Sequence, residues 1–252
     1  MQTMHHKQFH HLFKSPGPVV TPVIHVLDQL QVENNIALAL GENVAGVFLI
    51  NHDFGIEPFL PIVRAARQRF PDIWIGLNFL AVTGADAFPI LGQLAQKDCP
   101  IDAYCADDAR IDERRVNQSE AIEIDQIRQN SGWNGLYFGG TAFKKQRAVA
   151  PDKMEMAAQQ ATRYMDVVTT SGVATGEEAN HSKIDEFRHG VGSHTLALAS
   201  GITPENAASY NQVDCFLVAT GINKTGDFYN IDTKKLAQLM KVTQRMEPHG
   251  ND

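Results

Sequence analysis

A chain of 252 residues that is 43% hydrophobic and 20% charged has the apolar content for one sizeable core. Its net charge of −7 excludes a polyanionic partner held over the whole surface, so nucleic acid is not expected and any anion site must be local. Three separate cysteines, Cys99, Cys105 and Cys215, argue against a disulfide framework and for a reducing, cytoplasmic setting. No apolar run reaches membrane-spanning length, and the N-terminus lacks the apolar core of a signal peptide.

Residues 1–18 read as a leader carrying His5, His6, His10 and His11, closed by Pro16-Gly17-Pro18. Phe9, Leu12 and Phe13 are spaced to form a helix that would cap the floor of the main domain; a loosely ordered arm is the alternative. No cysteine or acidic residue accompanies the histidines, so no metal site is expected there.

Over 19–252, short apolar runs alternate with amphipathic stretches. The runs predict eight strands, at Val20–Leu27, Gly46–Asn51, Trp74–Phe79, Ile101–Cys105, Gly135–Gly139, Asp166–Thr170, Thr195–Ala199 and Asp214–Ala219. Between them, Phe59, Val63, Ala66 and Phe70 share a helical face. Capping-box patterns begin at Asn117, Asp152 and Ser182, and a last helix covers Thr233–Arg245. Near-continuous apolar strands suit a parallel sheet covered by helices, and eight such units in this length predict a single-domain (β/α)8 TIM barrel with an N-terminal extension. A doubly wound sheet is the alternative, but no GxGxxG comes after the first strand. Thr141–Pro151, with Lys144, Lys145 and Arg147, reads as a mobile lid.

The last two strands end in Ser200-Gly201 and Thr220-Gly221, and Thr203-Pro204-Glu205-Asn206 between them predicts a helix start. Glycine lets backbone approach a ligand closely, and the turns after the last two strands of a barrel are where phosphate is commonly held. The sixth strand adds Ser171-Gly172, which either joins the site or only turns the chain.

Chemistry in a barrel belongs at the C-terminal strand ends. Asn51-His52-Asp53 places an imidazole beside a carboxylate, which suits acid/base work, or else Asp53 caps a helix and His52 is a solvated turn residue. Asn78, inside an apolar strand, needs a hydrogen-bond partner in the ligand or in the barrel. Asp28 ends the first strand and completes the acid/base candidates. Lys144 and Lys145 lie off the expected strand end and suit charge attraction to phosphate better than Schiff-base chemistry, for which a lysine within a strand is expected.

Three stretches, Asp166-Val-Val-Thr-Thr-Ser-Gly-Val-Ala-Thr-Gly176, Ser200-Gly-Ile-Thr-Pro-Glu-Asn206 and Val218-Ala-Thr-Gly-Ile222 with Gly226-Asp227-Phe228, resemble the C-terminal half of the BtpA/SgcQ family. Pro22-Val-Ile-His25, Asn51-His-Asp-Phe-Gly55 and Gly76-Leu-Asn78 are similar to its first strand ends. The resemblance implies a ribulose-phosphate-binding type of barrel, a class associated with phosphoribosyltransferase and sugar-phosphate chemistry. Two departures fall at the mouth: Gly139-Gly140-Thr141 replaces an Asp-x-His pattern, and the first loop is short. The expected function is acid/base chemistry, without cofactor, on a small phosphorylated metabolite such as a sugar phosphate. The alternative is a non-catalytic BtpA-like assembly or ligand-binding protein that keeps the phosphate cup. Self-association is compatible with either.

Overall fold

The computed structural model describes residues 4–247; the first three residues of the expected leader and the last five of the chain lie outside it. Eight parallel strands close into a barrel in sequence order, β1 pairing with both β2 and β8. They are β1 Val19–His25, β2 Gly46–Asn51, β3 Trp74–Phe79, β4 Ala103–Ala106, β5 Leu136–Gly140, β6 Val167–Ser171, β7 Thr195–Ala199 and β8 Cys215–Val218. The protein is a (β/α)8 barrel. No helix among the described residues is long and apolar enough to cross a membrane.

The helices are α1 His6–Phe13, α2 Gln29–Gly41, α3 Ile56–Arg69, α4 Gly84–Gln96, α5 Ser119–Ser131, α6 Met154–Ala161, α7 His181–Val191 and α8 Thr233–Thr243. Phe59, Val63 and Ala66 face inward on α3 as their spacing requires. Three helix starts shift from the expected capping boxes: α5 has Gln118 at its N-cap, α6 grows from a 3-10 turn at Pro151–Lys153, and Asn180 caps α7.

The expected helix between β7 and β8 is reduced to a 3-10 turn, Ala207–Ser209. The Thr203 hydroxyl does cap, accepting from the Glu205 amide at 3.2 Å. Asn206 then folds the segment back: its amide nitrogen donates to the Gly201 carbonyl at 2.7 Å, and its oxygen accepts from the Thr203 amide at 2.8 Å. Tyr210, fully buried, drops its hydroxyl onto the Ala179 carbonyl at 2.6 Å. Side-chain bonds to nearby backbone compete with helix, and here they win.

Two layers of core result. Large side chains between strands and helices form the outer one. Alternate strand residues fill the barrel, with Phe48, Cys105, Phe138, Ala197 and Leu217 among them. The barrel floor is closed by α1, whose Phe9 ring sits 6.2 Å from Phe138 while Phe13 lies 5.2 Å from Trp74. Of the two readings of the leader, described residues 4–13 take the packed-helix one. His6 and His10 face the fully buried Asp214, His10 Nε2 at 3.2 Å, and Arg188 Nη1 donates to its other oxygen at 3.0 Å. Burial pushes the Asp214 carboxyl up, but the His10 hydrogen bond and the Arg188 charge outweigh it and hold the group below its ordinary value.

Candidate functional site

At the opposite end of the barrel a cavity opens among the C-terminal strand ends. One wall carries His25, His52, Asn78, Cys105, Asp107, Lys144 and Lys145; the facing wall carries Thr175, Gly176, Ser200 and Thr220. Ile50, Leu80, Phe143 and Phe228 supply apolar surface between them.

The facing wall consists of three loops packed backbone to backbone. A side chain at Gly221 would lie 1.9 Å from the Ile202 carbonyl oxygen, and one at Gly201 would lie 2.2 Å from that of Glu177. Gly201 also sits at φ +75°, and Ser200 beside it at φ +85°, a left-handed conformation costly for a residue with a Cβ. Ser200 is held there by its hydroxyl, which accepts from the Gly176 amide at 3.1 Å and donates to the Ala174 carbonyl at 2.8 Å. Gly176 in turn lies against Thr220. The amides of Gly201, Ile202, Thr220 and Gly221 donate to no protein acceptor among the described residues. Backbone N–H groups without an acceptor are what an anion-binding concavity is built from.

Four of the six expected phosphate residues do not line the cavity. Gly201 and Gly221 stand behind its surface, shaping the loops. Ser171 and Gly172 also lie outside it. The buried Ser171 hydroxyl accepts from the Lys144 amide at 2.8 Å and donates to the Gly172 carbonyl, so it is spent inside the protein.

On the opposite wall, His52 Nδ1 lies 3.2 Å from Asp53 Oδ1, and their side chains are 39% and 44% exposed. The Tyr229 hydroxyl donates to Asp53 Oδ2 at 2.7 Å. That bond, with His52, holds the Asp53 carboxyl below its ordinary value. His52 lines the cavity, whereas Asp53 stands behind it as the partner that orients the imidazole. Asn78, 7% exposed, donates to Asp107 Oδ1 at 2.9 Å and leaves its own Oδ1 buried without a partner. Asp28 does not join them: its carboxylate accepts the Gln31 amide at 2.8 Å as the N-cap of α2, away from the cavity. The cap at this short strand-to-helix turn uses the carboxylate locally.

His25, Cys105, Asp107 and Lys144 complete the wall, and none of them is among the acid/base residues expected from sequence. Strand parity is the signal that finds the first three: His25 lies two residues beyond Val23, and Asp107 two beyond Cys105, on the barrel-facing side, whereas Lys144 sits in the loop after β5. His25 stacks on Phe228 at 3.8 Å and meets His52 edge-on at 5.8 Å. Burial, reinforced by the charges of His52 and Lys144, lowers its pKa to about 4, so the imidazole is neutral at neutral pH. Burial, with Asp107 adding, pushes the Cys105 thiol up, which disfavours the thiolate there. Among the described residues no group of three or more His, Cys, Asp or Glu is arranged to hold a metal ion.

The expected lid is fastened. Gln146 donates to the Asp107 and Gly140 carbonyls at 2.6 and 3.1 Å, Phe143 is buried, and Arg147 pairs with buried Glu113. Lys183 Nζ adds a 2.6 Å bond to the Ala142 carbonyl and another to that of Ser171.

No protein-family model and no curated protein sequence matches this chain. Solved structures do match it in shape. The tryptophan synthase alpha chain from Legionella pneumophila subsp. pneumophila superposes with a TM-score of 0.63 at 12% identity, over 98% of this chain and 97% of that one. Phosphoribosyl anthranilate isomerase from Thermus thermophilus gives 0.58 at 12% identity, over 88% and 96%. N-(5'-phosphoribosyl)anthranilate isomerase from Pyrococcus furiosus gives 0.57 at 13% identity, over 90% and 98%. At such identities the likeness is one of fold, and the fold these structures share with this chain is the (β/α)8 barrel.

Proposed function

We propose that this protein is an enzyme acting on a small phosphorylated metabolite, such as a sugar phosphate or phosphoribosyl compound, at the C-terminal mouth of its barrel. The observation that carries the reading is the set of unpaired Gly201, Ile202, Thr220 and Gly221 amides in the two loops whose Ser200 and Thr220 line the cavity, across from His25, His52, Asn78 and Asp107. The phosphate end of the substrate lies against the Ser200 and Thr220 loops, where backbone N–H groups supply charge-assisted hydrogen bonds. The reacting end reaches the opposite wall. There His52, oriented by Asp53, moves a proton; neutral His25 donates or accepts one; and Asn78 orients the substrate through its free Oδ1.

The solved structures named for phosphoribosyl compounds share this fold, which supports the substrate class, and the resemblance to BtpA/SgcQ-type barrels points the same way. The test is a thermal-shift screen with inorganic phosphate and sugar phosphates, followed by turnover assays on the hits. Expected is a rise in melting temperature with phosphorylated but not dephosphorylated sugars. Gly201→Val should remove it, while His52→Ala should keep binding and lose turnover. Equal response to both sugar forms rejects the reading. Phosphate binding without turnover would favour the non-catalytic alternative.

A further inference from the structure

Two lysines line the cavity in different settings. Lys145 is exposed. Lys144 is drawn in: its backbone amide is tied to Ser171 at the end of β6, and its Nζ lies 5.5 Å from the centre of the buried Phe143 ring. Among the described residues Nζ has no hydrogen-bond acceptor, and no carboxylate lies within 4.0 Å. Burial holds the amine below its ordinary value, against the smaller opposing pull of Asp107 and Cys105, and the charge of Lys145 acts in the same direction as burial. An ammonium is strongly hydrated, and drawing it part-way out of water without a protein acceptor has a cost that the neutral amine does not carry. A lysine that only attracts phosphate gains nothing from this confinement. A lysine that acts as a nucleophile does.

We propose that Lys144 forms an imine with the carbonyl carbon of a phosphorylated aldehyde or ketone seated in this cavity. The proposal rests on the phosphate-binding reading above. The neutral amine adds to the carbonyl carbon; a C–N bond forms and the carbonyl π pair goes to oxygen. A proton passes from nitrogen to that oxygen, giving the carbinolamine. One further proton on the hydroxyl lets it leave as water, expelled by the nitrogen lone pair. The balance is amine, carbonyl and one proton in, protonated imine and water out. Asp107, whose negative charge acts on Lys144, stabilises the cation so formed. His25 and His52 border the same space and supply or remove the protons. The protonated imine then accepts the electron pair of a neighbouring C–H bond as one of these histidines takes the proton, giving the enamine.

Reductive trapping tests this. The protein is incubated with sodium cyanoborohydride and either D-glyceraldehyde 3-phosphate or unphosphorylated glyceraldehyde, and the adduct is located by intact mass and peptide mapping. Expected is one adduct at Lys144, forming at least tenfold faster than at exposed Lys241, faster with the phosphorylated probe, and slowed by inorganic phosphate. Lys144→Arg should abolish it while phosphate still raises the melting temperature; Lys241→Arg should leave it unchanged. Label spread evenly over exposed lysines, or persisting in the Lys144→Arg protein, overturns the proposal. If phosphate stabilises the protein yet Lys144 stays untagged, the imine falls and the phosphate reading stands. If Lys144 is tagged equally by both probes and phosphate has no effect, the phosphorylated substrate class falls, together with the reading beneath it.

Discussion

Asn78 gives its amide nitrogen to Asp107 across 2.9 Å and keeps its oxygen buried with nothing to accept from. The side chain is thus oriented from one end and available at the other. Replacing Asn78 with Asp would put two carboxylates at that distance, where both cannot ionise without strong repulsion. Asn78→Asp is expected to be less stable than the wild type at pH 8 and to recover part of the loss at pH 5, where the pair shares a proton. Urea denaturation at both pH values reads the difference; an equal loss at each would show that the two groups are not coupled.

Gly221 has no room for a side chain, since a Cβ would stand 1.9 Å from the Ile202 carbonyl oxygen. Gly221→Ala must therefore part the β7 and β8 loops. A destabilisation of about 1–3 kcal/mol is expected, together with at least a tenfold loss of phosphate affinity. Gly41→Ala is the contrasting variant: it ends α2, has nothing within 4 Å of its Cβ position, and should stabilise by roughly 0.4–1 kcal/mol with binding intact. Thermal melts with and without phosphate distinguish the two.

The floor and the mouth of the barrel should be separable. Phe9 is fully buried against Phe138 and Phe13. Phe9→Ala is expected to cost about 3–5 kcal/mol in chemical denaturation. The protein that remains folded should bind phosphate as the wild type does, because the cavity lies at the other end. A large loss of affinity in the folded fraction would mean that the two ends communicate.

His25 ties stability to pH. Its pKa is near 4 in the folded chain against 6.5 for an ordinary histidine, so between those values the unfolded chain binds more protons. Stability must then rise with pH across this window and fall on acidification, by up to about 3 kcal/mol from this one group. His6 and His194, both lowered chiefly by burial, act in the same direction. His25→Asn should flatten the slope of denaturation free energy between pH 6.5 and 4. An unchanged slope would show that His25 titrates normally.

The bounds of β2, β3 and β7 were legible in the chain because each is a continuous apolar run stopped by turn chemistry. The barrel itself followed from eight such runs, since strands buried on both faces need helices outside and one another inside. The Ser200-Gly201 and Thr220-Gly221 turns were legible for a related reason: a glycine forced by backbone contact leaves its mark at one position. What local pattern could not reveal were contacts between distant segments. The aborted helix after β7 depends on Asn206 reaching Gly201 and on Tyr210 reaching Ala179. Asp28 looked like a mouth carboxylate until the turn into α2 claimed it as a cap.

The chain by itself determined the alternation of strand and helix and the three glycine-bearing loops, because hydrophobic period and backbone sterics act over a few residues. Only the closed barrel decided which polar groups share a cavity. His25 and Asp107 come from the ends of β1 and β4 and Lys144 from the loop after β5, and their meeting depends on register, parity and burial. Those quantities exist only once β8 has paired with β1 and the interior is sealed from water.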